Sequence, residues 1–447
     1  MHNLITKPHT SVSKPKQMIP SILLVLIAFF APWGSGLQKV TNFDLSKIFV
    51  GLIVLLIFYW ALFVRHKFRT FPPYFNYFML FAILHILVTY VVFFPKELRF
   101  GYIDIIQLQE GFIRLQETSG MMVARFFLFA LMGYAFASLL RTKKQFIILS
   151  LAYGTGFSLI MVIGACIGGG YVTIEKDFLV RFAGSFLNPN SLGTSALMAV
   201  FLNIFVLTSQ NVKILKRLFS IVFVGIGILG VLISGARSNM LGLFIGLLVM
   251  IMHIPKIQRK IQFIVGLLII VSIVFLFVPQ NFKETLKYRT SIQTILETRG
   301  AKRFDLWHTY IEAMPKYILI GNGYGRKRKV IQTFSGKIYT THNSYLAVLV
   351  EFGLIGFLLF IMCLWQLWKK ISYSSKQTKR AFSDCVVLGL FFAWLVMFIF
   401  RDYGGSRDLW IFLGIIAAYG SRKVSSKQNN LLLCRRPLPK NLLDRLI

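Results

Sequence analysis

The chain has 447 residues, of which 56% are apolar and 15% aromatic, with a mean hydropathy of +0.67. That is too apolar for an ordinary soluble domain and fits a polytopic α-helical membrane protein, each span taking roughly 20 apolar residues. The formal charge of +34 at pH 7 reads as charge that sets membrane orientation, not as a nucleic-acid surface, so no nucleic-acid partner is expected.

Taken in order, the chain opens with a polar, basic segment over 1–18. The apolar run that follows has no small-residue cleavage pattern and is expected to stay as a first span. Hydropathy then places spans near 19–35, 46–64, 74–94, 121–140, 145–169, 191–209, 217–234, 238–254 and 261–279. A long hydrophilic insert occupies 280–341, three more spans follow near 342–368, 382–401 and 407–420, and a Ser- and Lys-rich tail covers 421–447. This gives twelve helices with a large loop between the ninth and tenth.

Charge tests the layout. The N-terminus, Arg65 to Lys67, Arg141 to Lys144, Lys213 to Arg217, Lys256 to Lys260, Lys369 to Arg380 and the tail all fall on one face. They hold more than half of the 50 Lys and Arg and one acid, Asp444. The excess of positive charge puts that face, with both termini, in the cytoplasm and the insert outside. Outside segment 95–120, which mixes Phe100, Ile103, Ile105 and Leu108 with charges, is expected to be an interfacial helix. The four cysteines, Cys166, Cys363, Cys385 and Cys434, have neither metal-ligand spacing nor a disulfide framework.

Chemistry concentrates at the outer face. Arg237, in Ser234-Gly235-Ala236-Arg237-Ser238, sits between two apolar runs; such an arginine either meets an anion in a polar cavity or snorkels to the interface. In the insert, Phe304, Trp307, Ile311 and Met314 recur at helical spacing, with Arg303 one turn before Trp307, facing either the site or solvent. Gly321-Asn322-Gly323-Tyr324-Gly325 lacks the flanking strand and helix of a nucleotide loop and reads as a tight turn. The following Arg326-Lys327-Arg328-Lys329 is either a binding patch for anionic headgroups or a solvated surface. His342, at the mouth of the tenth span, is a candidate general base, because cations on the same face would keep its imidazole neutral. His308, His342, Asp305 and Glu351 have no metalloprotein spacing, and neither metal nor cofactor is expected.

Together, Arg181-Phe182-x-Gly-Ser-Phe-x-Asn188-Pro189-Asn190, Ser-Gly-Ala-Arg237-Ser, Arg303-x-x-x-Trp307 with Gly321-x-Gly323, and His342-Asn343-Ser344-Tyr345 resemble the O-antigen ligase and polymerase family. The ten residues between His342 and Gly353 carry the same resemblance. It implies a GT-C type, metal-independent inverting glycosyltransferase in the bacterial inner membrane, with its active site on the periplasmic face. The implied donor is an undecaprenyl-pyrophosphate-linked glycan; the acceptor is lipid A-core for a ligase or a growing glycan for a polymerase. By the same resemblance Arg237 and Arg303 would hold the pyrophosphate, His342 would deprotonate the acceptor hydroxyl, and Arg181 would be a third cation or a wall of the cavity. A transporter of lipid-linked oligosaccharide is the rival class; it would place polar groups near the midplane in related halves, whereas here they gather at one face.

Overall fold

The computed structural model describes residues 15–33, 45–63, 71–93, 102–107, 113–117, 119–166, 171–174, 176–183, 188–297, 299–335, 341–373, 381–402 and 406–434. The polar N-terminal segment up to 14, the tail from 435 and the Gly184 to Leu187 part of the arginine motif lie outside them. Within the described residues the chain is almost entirely helical. Its elements are α1 (Pro15–Phe30), α2 (Leu45–Phe63), α3 (Pro73–Leu87, running on as a π-helical turn over Val88–Phe93), β1 (Tyr102–Gln107), β2 (Ile113–Glu117), α4 (Ser119–Leu139), α5 (Lys143–Cys166), β3 (Tyr171–Ile174), β4 (Lys176–Phe182), α6 (Pro189–Thr208), α7 (Ile214–Ser234), α8 (Arg237–His253) and α9 (Ile257–Phe277). The insert forms α10 (Gln280–Thr290), α11 (Ile292–Glu297), α12 (Arg299–Ala313) and α13 (Lys327–Ser335), and the chain ends in α14 (Ser344–Tyr373), α15 (Phe382–Phe400) and α16 (Arg407–Cys434).

Each predicted window falls on one of these helices. Among the described residues, eight helices are long and apolar enough to cross a membrane: α3 with its π turn, α4, α5, α6, α7, α9, α14 and α15. Three more, α1, α2 and α8, are apolar but shorter. The protein is a polytopic helical membrane protein.

Residues 95–120 correct the expectation of an interfacial helix. The described part is a hairpin in which β1 pairs antiparallel with β2, Tyr102 opposite Glu117 and Gln107 opposite Ile113. The physical reason is in the pattern: Ile-Asp-Ile and Ile-Arg-Leu alternate with a period of two, which suits a strand better than a helical face. A second hairpin pairs β3 with β4 and sets Arg181 opposite Val172.

Helix α6 is the buried axis of the bundle, with 83% of its span window covered. Its start is written in the sequence. The Asn188 side chain accepts from the Asn190 amide at 2.8 Å, and Pro189 occupies the first helical position, where no amide is needed. Helix α8 packs closely on α15 because Gly246 and Gly389 face each other: a Cβ on Gly389 would lie 2.5 Å from the Gly246 carbonyl oxygen. At the other extreme α9 has 6% of its window buried and runs along the rim. Asp384, inside the apolar run of α15, is satisfied by accepting from the Ala381 amide and the Tyr419 hydroxyl.

Candidate active site

Four elements converge at the end of the bundle that carries the insert. From β4, the Arg181 side chain reaches the α7–α8 turn and the start of α6. Its Nε donates to the Ser234 carbonyl at 2.7 Å and a terminal nitrogen donates to Asn190 Oδ1 at 2.9 Å. Gly235 makes this turn possible by adopting the left-handed conformation that ends α7 (φ 56°). A Cβ there would touch both Arg181 and Arg289.

The turn aims Arg237 from the first residue of α8. Its Nε is buried with no hydrogen-bond partner among the described residues. Two residues on, Asn239 fastens α8 to α6 by donating to the Asn190 carbonyl at 3.0 Å. That same carbonyl also accepts from Arg401, which closes α15, and Arg401 donates further to Thr194 Oγ1 at 2.6 Å and Ser191 Oγ at 2.7 Å. The Asn188-Pro189-Asn190 motif is therefore a junction that joins β4, α6, α8 and α15.

From the insert, α12 brings Arg303 and Trp307. The Trp307 indole donates to the Thr341 carbonyl at 3.0 Å, next to His342. The helix packs inward through Tyr310 and Ala313, which form a small core with Val330, Ile331 and Val350. Phe304 and Ile311 of the predicted apolar stripe face outward instead, 58% and 56% exposed. His342 is half-buried and holds a left-handed backbone (φ 46°), unusual for a non-glycine residue. Beyond it Asn343 caps α14 by accepting from the Leu346 amide at 3.0 Å, and Ser344 Oγ donates to the Arg401 carbonyl at 2.7 Å. His342 is thus held between one neighbour tied to α12 and another tied to the end of α15.

Charge around Arg181 is one-sided. Arg181 is pulled down to about 9, first by burial and then by the charges of Arg289, Arg303, Arg237 and Arg401. The three arginines expected from the sequence therefore stand together, and two more join them. Among the described residues no group of three or more His, Cys, Asp or Glu side chains is placed to hold a metal ion; the cations gathered around Arg181 are guanidiniums. Such an array suits a phosphate, whose oxygens match the planar fork of arginine.

A second polar cluster lies beside the first and has the opposite character. Lys327, at the start of α13, is buried and its ammonium contacts Asp402 Oδ2 at 2.7 Å and Glu351 Oε1 at 3.2 Å. Burial alone would lower the lysine, but the two carboxylates outweigh it and raise its pKa above the ordinary range. Glu351 Oε1 also accepts from the Gly325 amide at 2.8 Å. The basic run, read from sequence as a binding patch or a solvated surface, thus contributes a buried structural ion pair at Lys327, and Arg326 is buried as well.

The O-Antigen ligase family model matches residues 219–361. This stretch of the chain is of the O-antigen ligase family. No curated protein matches the chain.

The ligase-family stretch runs from α7 into α14 and holds Arg237, Arg289, Arg303, Lys327, His342 and Gly353; Arg181, Arg401 and Asp402 lie outside it. Sequence reasoning missed Arg289 and Arg401. Arg289 is one cation among several in a basic helix, and nothing in its spacing distinguishes it from Lys283 or Lys287. Arg401 had a usable signal, an arginine directly ending an apolar run of nineteen helical residues, which in a membrane protein asks for a partner.

Proposed function

We propose that the protein is an O-antigen ligase: a glycosyltransferase of the bacterial inner membrane that moves a glycan from an undecaprenyl-pyrophosphate donor to a hydroxyl of lipid A-core on the periplasmic face. The observation that carries the reading is the arginine cluster, five guanidiniums at one end of the bundle, three of them within the ligase-family stretch.

Arg181 and Arg401 spend their donors on Ser234, Asn190, Ser191 and Thr194, so they brace the site and supply positive potential. Arg237, whose Nε has no hydrogen-bond partner among the described residues, is assigned to the pyrophosphate, and Arg303 and Arg289 add their positive charge beside it. Donors fixed in place before the reaction stabilise charge that grows on a leaving group without reorganising.

In the proposed reaction the acceptor hydroxyl gives its proton to His342 as its oxygen bonds to the anomeric carbon. The bond from that carbon to the phosphate oxygen breaks on the opposite side, inverting the centre, and undecaprenyl pyrophosphate leaves. Holding acceptor, donor and base in one geometry supplies much of the rate.

Purified protein in nanodiscs would be given the lipid-linked glycan alone and then with lipid A-core, and the products separated by size. One transfer that needs lipid A-core is the expected result. A ladder formed from donor alone would make the protein a repeat-unit polymerase. No transfer with either, for folded protein and suitable glycans, would favour transport of the lipid-linked glycan.

A further inference from the structure

Helix α14 is broken within its apolar length. Gly353 has φ 68° and ψ −171° inside an otherwise continuous helix, which frees backbone groups of the preceding turn. The glycine turn of the insert takes them up. The Asn322 amide donates to the Val350 carbonyl at 2.8 Å, the Gly323 amide to the Glu351 carbonyl at 3.0 Å, and the Leu354 amide is diverted to the Ile318 carbonyl at 2.7 Å. The two glycines are mutually required: a Cβ on Gly321 would lie 2.5 Å from the Glu351 oxygen, and one on Gly353 would lie 2.3 Å from the Leu319 oxygen.

Gly353 stands nine residues into α14, roughly 13 Å along a helix from its first residue. A turn hydrogen-bonded there sits beside the apolar part of the span. The same turn leans on α3, where the Tyr90 hydroxyl donates to the Tyr324 carbonyl at 2.5 Å. Its tip is nonetheless uncovered: Ile318, Leu319 and Ile320 are 44%, 64% and 62% exposed. They continue the outward apolar surface of the two helices that flank them, which exposes Leu84 and Val88 on α3 and Leu354 and Ile355 on α14.

We propose that the turn is a re-entrant, lipid-facing element whose Ile318-Leu319-Ile320 tip contacts the acyl chains of the outer leaflet. Non-helical backbone beside a membrane span needs partners for its polar groups, and the exchange with the break in α14 supplies them to the carbonyls of Ile318, Val350 and Glu351 and to the amides of Asn322, Gly323 and Leu354. Lys316 before the tip and Lys329 after it are exposed and bracket the apolar residues with cations suited to headgroups. The insert is thereby pinned to the bilayer at a point between α12, which carries Arg303, and α13, which carries Lys327. The inference concerns the membrane and does not depend on the reaction proposed above.

The test is site-directed spin labelling of the full chain in nanodiscs, with Cys166 and Cys434 replaced by serine. Labels at Leu319→Cys and, independently, Ile320→Cys would be compared with Leu354→Cys on α14 and Lys329→Cys on α13. Collision rates are measured with oxygen, which concentrates in hydrocarbon, and with a water-soluble nickel chelate. Labels at 319 and 320 that favour oxygen over nickel several-fold, as at 354 and unlike 329, are the expected result. Labels at either position that favour nickel, as at 329, would overturn the proposal. If one variant fails to fold, the other gives the same reading.

Discussion

The arginine cluster and the Lys327 cluster lie side by side at the same end of the bundle, and they treat buried charge in opposite ways. Around Lys327 the cation meets two carboxylates and a backbone amide shares one of them, so the site is complete without a ligand. Around Arg181 the neighbours are four further arginines, and burial, followed by their charges, pushes its pKa down. A buried ion pair with both members present is architecture; a gathering of like charges is unfavourable until an anion arrives. On the proposed reading, binding belongs to the arginine cluster and support to the Lys327 cluster.

The strongest way to break that assignment is at the reacting groups. His342→Ala should cut transfer about 1,000-fold, within the range for loss of a general base, and Arg237→Ala about 100-fold or more, as for loss of a preorganised donor. Both variants should keep the wild-type unfolding temperature, measured by intrinsic fluorescence in nanodiscs. Unfolding of either at markedly lower temperature would move that residue into the supporting class.

Lys327→Met tests the other side. It leaves Glu351 and Asp402 buried without their cation and should cost roughly 3–5 kcal/mol of stability, read from denaturant unfolding. Adding Glu351→Gln and Asp402→Asn should restore part of the loss. Affinity for a pyrophosphate lipid should change little at temperatures where the variant is folded.

A smaller effect is expected at the break in α14, two residues beyond Glu351. Gly353→Ala imposes a left-handed backbone on alanine and drives its Cβ against Leu319, for a strain cost of about 1–3 kcal/mol. Thermal unfolding would show it.

The smallest effect concerns pH. With Arg181 held down to about 9, the folded chain binds fewer protons there than the unfolded chain above that value. Stability of the ligand-free protein should therefore rise as pH climbs through about 9, because deprotonation removes a charge that is buried and is also repelled by its neighbours. Pyrophosphate affinity should fall over the same interval. Unfolding and binding measured side by side from pH 7 to 10 would show the opposed slopes.

Much of the fold was legible because hydrocarbon demands long apolar runs, and each predicted window falls on a helix. The hairpin at 102–117 was misread because apolar content was weighed there without its period. Arg237, Arg303 and Arg181 could be singled out by unusual depth or motif, and they do come together. Lys327 could not: its partners Glu351 and Asp402 lie 24 and 75 positions away in sequence, so only the folded chain distinguishes it from the solvated cations around it. The break at Gly353 was similarly hidden, since a glycine in an apolar helix is ordinary until its backbone angles are known.

The central claim is that the arginine cluster binds the pyrophosphate of the donor. Its most direct test is calorimetric titration of undecaprenyl pyrophosphate into wild-type, Arg237→Ala and Lys327→Met protein in detergent. The account predicts binding by wild type and Lys327→Met, weakened about 100-fold in Arg237→Ala, as expected for the loss of a buried charge-assisted contact. Equal affinity of Arg237→Ala and wild type would contradict it.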